Sequence, residues 1–451
     1  MLQPINRLPP EILSHIARWI PDSDDQDAAS VIPLTHVCRY WRSSIISAPG
    51  NWTRISGSSE PLAALSLERS KAAPLQISLY MDEVGERSGF SDLLAPYIQN
   101  IVTLNLSKIG SLEDLMQTLP NFPRSTPNLL SLELSLEECE SDPDISIDPF
   151  QPFSPTLRRL TLIRVPLYPA FLNLRTLTEF TLCDYVLTLP LDTLLTMLEE
   201  NHGLERVDLS IEFTDPDLRG SQRRAPISNR LQHLSVSFFK AEVARALISS
   251  IPIQRGANLA LKSFRSTAGL TDALSTISAT HLANLPAPTY MTICARKIWL
   301  SGPNGSFSFS GPPSSEISLV GLSLFSFDQI RELHFRYPSR AFDPLLFPAL
   351  ETLALEETNV SKTLSIWLSS PKSSPWLKTL AFFNCDLSEE FMKVLTQFAC
   401  DRRNATVAWL YRVLIVDSRG KFPSPPSILG LRVYVKVVDI QMADSLPSDL
   451  T

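Results

Sequence analysis

Glycine is scarce in this sequence, with 15 residues in 451 against 36 prolines. That balance excludes collagen-like and Gly-rich low-complexity chains, and it suits short, stiff connections. Charge is sparse too. Asp, Glu, Lys and Arg make up 19% and hydrophobic residues 44%, which leaves ample material for a core and excludes disorder over most of the chain. Positive charge is not in excess: 40 Lys and Arg against 47 Asp and Glu give a net −7. This argues against nucleic-acid binding through bulk neutralisation of phosphates, and no nucleic-acid partner is expected. No apolar run reaches the roughly 18 residues a spanning helix needs, so no membrane association is expected. The six cysteines (Cys38, Cys139, Cys183, Cys294, Cys385, Cys400) form no CxxC pair and have no histidine at zinc spacing. Buried thiols in a reducing compartment are the simpler reading. Residues 1–7 carry a charge where a secretory leader would be apolar, and an intracellular protein, cytoplasmic or nuclear, is expected.

Motifs that carry chemistry are lacking as well. The sequence has no Walker-A spacing, no GxSxG elbow and no HExxH. Gly302, Gly305 and Gly311 sit among Ser and Pro as turn residues. The histidines are scattered, and Glu11 with His15 on one helix face reads as surface rather than a metal pair. Glu137, Glu138, Glu140, Asp142, Asp144 and Asp148 read as a solvated acidic loop without EF-hand spacing. Arg219, Arg223, Arg224 and Arg230 form the one basic cluster, read as loop solubility ahead of a nuclear signal. No catalytic residue, metal or cofactor is expected.

What is present begins with two short amphipathic helices. Ile12, Leu13, Ile16 and Ile20 repeat at helical spacing after Pro9 and Pro10, which suit a first turn, and Pro21 stops the helix. Asp22 to Ser30 reads as an acidic linker. A second helix is expected through Leu34, Val37, Cys38, Trp41 and Ile45, closed by Pro49, Gly50 and Trp52. Some fifty residues bury little core alone, so this unit reads as half of an interface. The run Leu8-Pro9-Pro10-Glu11-Ile12-Leu13, then Ile16 and Ile20, Val37-Cys38-Arg39-Tyr40-Trp41-Arg42, Pro49 and Trp52 resembles the F-box motif. The acidic linker departs from it and leaves the register of the second helix open. The resemblance implies docking onto a Skp-family adaptor, and through it a cullin, by Leu8, Pro9, Ile12, Leu13, Ile16, Val37 and Trp41. For Ile16 and Trp41, packing between the helices is the favoured role.

The remainder is repetitive. Leu-x-x-Leu-x-Leu recurs around central residues Leu104, Leu132, Leu160, Phe180, Val207 and Leu234, then Leu333, Leu353 and Leu380. The steps are 28, 28, 20, 27 and 27 residues, and later 20 and 27, matching leucine-rich repeats. Between residues 264 and 298 the pattern is weak, with Phe264 and Ile298 as plausible centres. Cys385 falls in the Asn/Cys slot of the repeat that begins at Leu377, and so reads as a structural thiol. Leu191, Leu194, Leu195 and Leu198 form a helical stripe, as do Phe391, Val394, Leu395 and Phe398 with Ser388 as N-cap. Val413–Ser418 and Leu431–Val438 read as closing strands. The chain thus resembles fungal F-box proteins with degenerate leucine-rich repeats.

A mixed α/β fold is expected: a small helical F-box at residues 1–56, a curved strand-plus-helix solenoid at 57–440 and a loose tail at 441–451. The implied function is that of a non-catalytic substrate adaptor of a ubiquitin ligase. Arg159, Glu179, Arg206, Asp208, His233, Glu332 and His334 alternate with the core leucines, and are expected to contact a protein substrate. The rival reading is a plain scaffold whose F-box-like unit only caps the first repeats. In that case Leu8, Pro9 and Leu13 would be buried against them.

Overall fold

The computed structural model describes residues 8–19, 28–56, 59–80, 92–111, 113–114, 126–137, 156–187, 191–213, 230–238, 244, 247–248, 251, 254, 256–263, 287–294, 297–303, 305–311, 327–336, 344–356, 374–405, 407–417 and 422–441. Pro21, the acidic stretches at 22–27 and 138–148, Arg219 to Arg224, Phe264 and the tail beyond Gln441 lie outside the described residues. The chain divides into two compact units, Met1–Leu231 and Gln232–Thr451.

The first unit opens with helices α1 (Pro10–Trp19), α2 (Ile32–Thr35) and α3 (Arg39–Ser47). Strand β1 (Arg54–Ser56) and helix α4 (Glu60–Ser70) lead into β2 (Leu75–Tyr80), β3 (Ile101–Ile109), β4 (Ser131–Leu136) and β5 (Arg159–Ile163). After α5 (Pro169–Leu172) come β6 (Glu179–Leu187), α6 (Leu191–Glu200) and β7 (Arg206–Phe213). Strands β1 to β7 pair in sequence order and all in parallel. Parallel neighbours need long return connections, which is what the 20- to 28-residue repeat supplies.

Alternation sets the layers. Ile77, Leu104, Leu132, Leu160, Phe180 and Val207 form one buried row, and Leu79, Leu106, Leu134, Leu162, Leu182 and Leu209 the next. No repeat could bury such a face alone; each strand supplies the wall for its neighbour. The stripe Leu191, Leu194, Leu195 and Leu198 is buried as the spacing predicts.

The second unit contains β8 (His233–Phe238), β9 (Asn258–Ser263), β10 (Tyr290–Cys294), β11 (Lys297–Gly302), β12 (Gly305–Ser310), β13 (Glu332–Arg336), β14 (Thr352–Glu356) and β15 (Thr379–Phe383). Helix α7 (Glu389–Asn404), β16 (Arg412–Val416), α8 (Pro425–Arg432) and β17 (Val437–Gln441) complete it. Here the sheet order departs from the chain order. β9 pairs with β12, β12 with β11 and β11 with β10, and β10 then pairs with β13. β11 is antiparallel to both neighbours, whereas the other pairings are parallel. Ile298, expected as a repeat centre, is buried but lies on this reversed strand. Its connections are too short for a parallel crossover, so only hairpins can form. Gly305 at φ +122° turns the second hairpin.

A backbone feature recurs with the repeat. Lys108, Arg164, Asp184 and Asn384 have φ of 54°, 58°, 52° and 52°, each four residues beyond a core side chain, namely Leu104, Leu160, Phe180 and Leu380. Arg164 and Asn384 directly follow the last residues of β5 and β15, whereas Lys108 and Asp184 lie within β3 and β6, where the pairing register shifts. After the last of them, Cys385 is buried and donates from Sγ to the Leu355 carbonyl at 3.3 Å, a structural thiol as its slot predicts.

At the end of the chain the expected strand over Leu431–Val438 begins only at Val437. Leu431 and Arg432 finish α8, which Ser424, Pro425 and Pro426 start. Helix-start residues outweigh the alternation that follows them.

Candidate interaction surfaces

The helical unit is built around Leu13, Ala17, Val31, Trp41, Ile45 and Trp52, all buried, with Leu8, Leu34, Cys38, Tyr40 and Ile46 packed at the edge. Two of its polar groups are tied to backbone carbonyls. Trp52 Nε1 donates to the Ile45 carbonyl at 3.1 Å, and Tyr40 Oη to that of Leu8 at 2.6 Å. The Arg69 guanidinium of α4 lies over the Trp52 ring at 4.4 Å.

The single stripe expected on the first helix is two faces. Leu13 and Ala17 point into the core, while Ile12 and Ile16, one residue and so about 100° earlier, stand 45% and 36% exposed. The expected second helix is also interrupted. Arg42 Nε donates to the Thr35 carbonyl at 2.9 Å, and Cys38 is extended at φ −161°. This break between α2 and α3 swings Val37 out to 55% exposure.

The seven expected adaptor contacts therefore divide. Pro9, Ile12, Ile16 and Val37 are exposed and Leu8 is half-buried. Leu13 and Trp41 are core residues, at 0% and 6% exposure; they hold the helices together and cannot be contacts. For Ile16 the packing role is corrected, since its side chain faces outward. Leu13 is covered by the helical unit's own cluster, so its burial does not make the unit a cap.

In the first unit the structure brings four of the expected substrate contacts together. Arg159, Glu179 and Arg206 stand side by side across β5, β6 and β7, and Asp208 occupies the next outward position. Arg206 Nε donates to Asp208 Oδ2 at 2.7 Å, and this bond, with the charge beside it, raises the arginine's pKa. On the same outward-facing, half-buried row Glu133 lies between Asn105 and Thr161, and burial pushes its carboxyl up.

The remaining three belong to the second unit. His233 faces Asn258 across β8 and β9, while Glu332 and His334 lie on β13. His334 Nε2 is 3.4 Å from Glu356 Oε2 without hydrogen-bond geometry, and Arg336 Nε is 3.2 Å from Glu356 Oε1. Burial, then the neighbouring Arg336, lowers the pKa of His334. The ring packs 5.8 Å from that of Phe383.

Sequence reasoning did not name Tyr290, Thr292 and Trp299, which share this exposed face. Thr292 is in register with both Trp299 and His334, and the Tyr290 and Trp299 rings meet edge to face at 5.4 Å. The alternation of Tyr290, Thr292 and Cys294 about Met291 and Ile293 was the available signal. Among the described residues no group of three or more His, Cys, Asp or Glu could hold a metal ion. No helix among them is long and apolar enough to cross a membrane.

Residues 5–58 match the F-box-like family, so the chain carries an F-box-like domain that coincides with this helical unit. Domains of this kind generally bind Skp-type adaptors and are typically non-catalytic. No curated protein matches the chain.

Proposed function

We propose that the chain is a substrate-recognition adaptor of an SCF-type ubiquitin ligase. In this reading the F-box, residues 1–56, holds a Skp-family adaptor and through it a cullin. Residues 57–440 form a leucine-rich-repeat solenoid that presents a protein substrate. The observation that carries it is the F-box-like match over a unit whose Ile12, Ile16 and Val37 remain uncovered. Three exposed aliphatic side chains beside Pro9 are what a helical adaptor would bury. The chain performs no chemistry of its own in this scheme. It raises the effective concentration of substrate at the ubiquitin-transfer site. Substrate contact is assigned to Arg159, Glu179, Arg206 and Asp208 in one unit, and to His233, Glu332 and His334 in the other. A surface of mixed charge suits a protein partner.

A scaffold reading has one observation in its favour. β1, directly after the last helix of the F-box unit, pairs in parallel with β2 through Ile55 and Ile77, so the unit closes the edge of the sheet. Closing an edge and recruiting an adaptor use different surfaces, and one experiment separates them. Purified full-length chain is incubated with a purified Skp-family adaptor, beside an Ile12→Asp, Val37→Asp variant. Stable binding lost in a variant of unchanged circular dichroism supports the adaptor reading. A folded wild type that does not bind withdraws it in favour of the scaffold.

A further inference from the structure

The second unit carries another surface, at the N-terminal rim of its last strands. The residue just before a core leucine faces outward in two successive repeats. Trp376 and Trp409, 59% and 60% exposed, precede Leu377 and Leu410, which are buried. The Ala408 amide donates to the Pro375 carbonyl at 2.9 Å and the Tyr411 amide to that of Lys378 at 2.7 Å, so the two turns run side by side. Tyr411 is itself 48% exposed.

Cations interleave with these rings. Arg403 lies over the Trp409 ring at 5.4 Å and Lys436 over that of Tyr411 at 5.1 Å. Arg403 Nη1 also donates to the Val433 carbonyl at 2.8 Å, joining the end of α8 to the rim. There Val433 and Leu429, four residues apart on one helix face, are 60% and 63% exposed. Segments 374–378, 402–412 and 432–436 hold six Lys or Arg and no Asp or Glu. Of the six, Arg402 is interior, and two are paired, Arg412 with Asp439 at 2.7 Å and Lys378 with Glu351 at 3.0 Å. Arg403, Arg432 and Lys436 remain at the surface of a chain whose net charge is −7.

Single exposed apolar residues need no explanation, but three large rings on adjoining turns, continued by aliphatic side chains, form a patch. Trp, Tyr and Arg are also the side chains that dominate binding energy at protein interfaces. We propose that this rim docks an acidic, amphipathic segment of a partner protein. Its carboxylates would face Arg403, Arg432 and Lys436, and its apolar side chains would lie against Trp376, Trp409 and Tyr411. Charge complementarity selects an acidic partner. The aliphatic extension over Val433 and Leu429, exposed at the end of α8, favours polypeptide over nucleic acid. The inference does not depend on the adaptor reading, since the F-box surface takes no part in it.

The test uses the full chain and fluorescence anisotropy with three labelled probes. They are a helical peptide with Glu and Leu/Phe on opposite faces, the same peptide with Lys for Glu, and oligouridylate. The acidic peptide is expected to bind, more weakly as salt rises, and about tenfold more weakly to a Trp409→Ala variant. Lys436→Glu should weaken it as well; both side chains are exposed, so the melting temperature should hold. Equal binding of the two peptides, binding of oligouridylate alone, or no binding of the acidic peptide would each overturn the proposal.

Discussion

Arg402 donates twice to the carbonyl of Ala408, from Nε at 3.0 Å and from Nη2 at 2.7 Å. The same guanidinium reaches the carbonyls of Ser374 at 2.9 Å, Pro375 at 3.2 Å and Leu377 at 2.9 Å. It is fully buried at the end of α7 and stacks on Phe398. Burial pulls its pKa down to about 10, still far above neutrality, so the cation persists and serves as a five-armed clip on two turns. Asn201 does the smaller version of this job after α6, donating to Leu174 and Met197 and accepting from the Leu177 amide.

The clip leads to a first prediction. Arg402→Gln leaves several buried carbonyls without a donor, and should destabilise the protein by about 3–5 kcal/mol. Arg403→Gln, at the neighbouring exposed position, should stay within about 0.5 kcal/mol. Chemical denaturation of both variants checks the contrast; equal midpoints would remove the clip from the account.

Glu133 predicts a gain. Its folded-state pKa is raised above the ordinary 4.5 by burial, so its contribution to stability is fully present below that value and is lost as pH rises through the folded pKa. At neutral pH the half-buried carboxylate is a small burden. Glu133→Gln should raise the melting temperature at pH 7, and the gain should close as the pH is taken below 4.5. Thermal melts at the two pH values decide it.

The repeat was legible because a period-two strand nested in a 20- to 28-residue period leaves two overlapping marks. Each central residue named from the sequence, from Leu104 to Leu234 and from Leu333 to Leu380, sits on a strand and is buried. The reversal at β11 was illegible, because alternation is the same in either strand direction. Pairing order was hidden too, since it is set by connection length and by glycine turns rather than by the strands. On the F-box, helical spacing located Ile12, Leu13 and Ile16 but could not tell a stripe facing a core from one facing a partner. The break at Cys38 was missed because Arg42 caps Thr35 through a tertiary bond that no local pattern encodes. The rim tryptophans had a readable signal, each directly preceding a core leucine, but exposure had to be seen to give it meaning.

His334 predicts acid sensitivity. Burial and then Arg336 hold its pKa below the ordinary 6.5. The unfolded chain therefore takes up the proton first. The stabilising contribution is complete above 6.5 and is lost as pH falls through the lower folded value. Phe383 and Glu356 also face the ring, and only Glu356 offers the imidazolium a counter-charge. Wild type should lose melting temperature between neutral pH and about pH 5 more steeply than His334→Gln; parallel slopes would show that the histidine takes no part.

Gly305 carries the last prediction. It opens β12 at φ +122°, a conformation that side chains rarely adopt, and a Cβ there would lie 2.5 Å from the Ala257 carbonyl oxygen. That oxygen belongs to backbone just ahead of β9, the strand with which β12 pairs in parallel, so neither side can yield without disturbing the seam. Gly430, by contrast, has open space around its Cβ position and lies within α8. Gly305→Ala should therefore cost about 2 kcal/mol or more, combining strain in φ with the clash. Gly430→Ala should stabilise by up to about 1 kcal/mol through helix propensity. Opposite shifts of the denaturation midpoint in the two variants are the expected result. If Gly305→Ala were as stable as wild type, the close approach of β12 to the turn before β9, and with it the inverted strand order of the second unit, would be wrong.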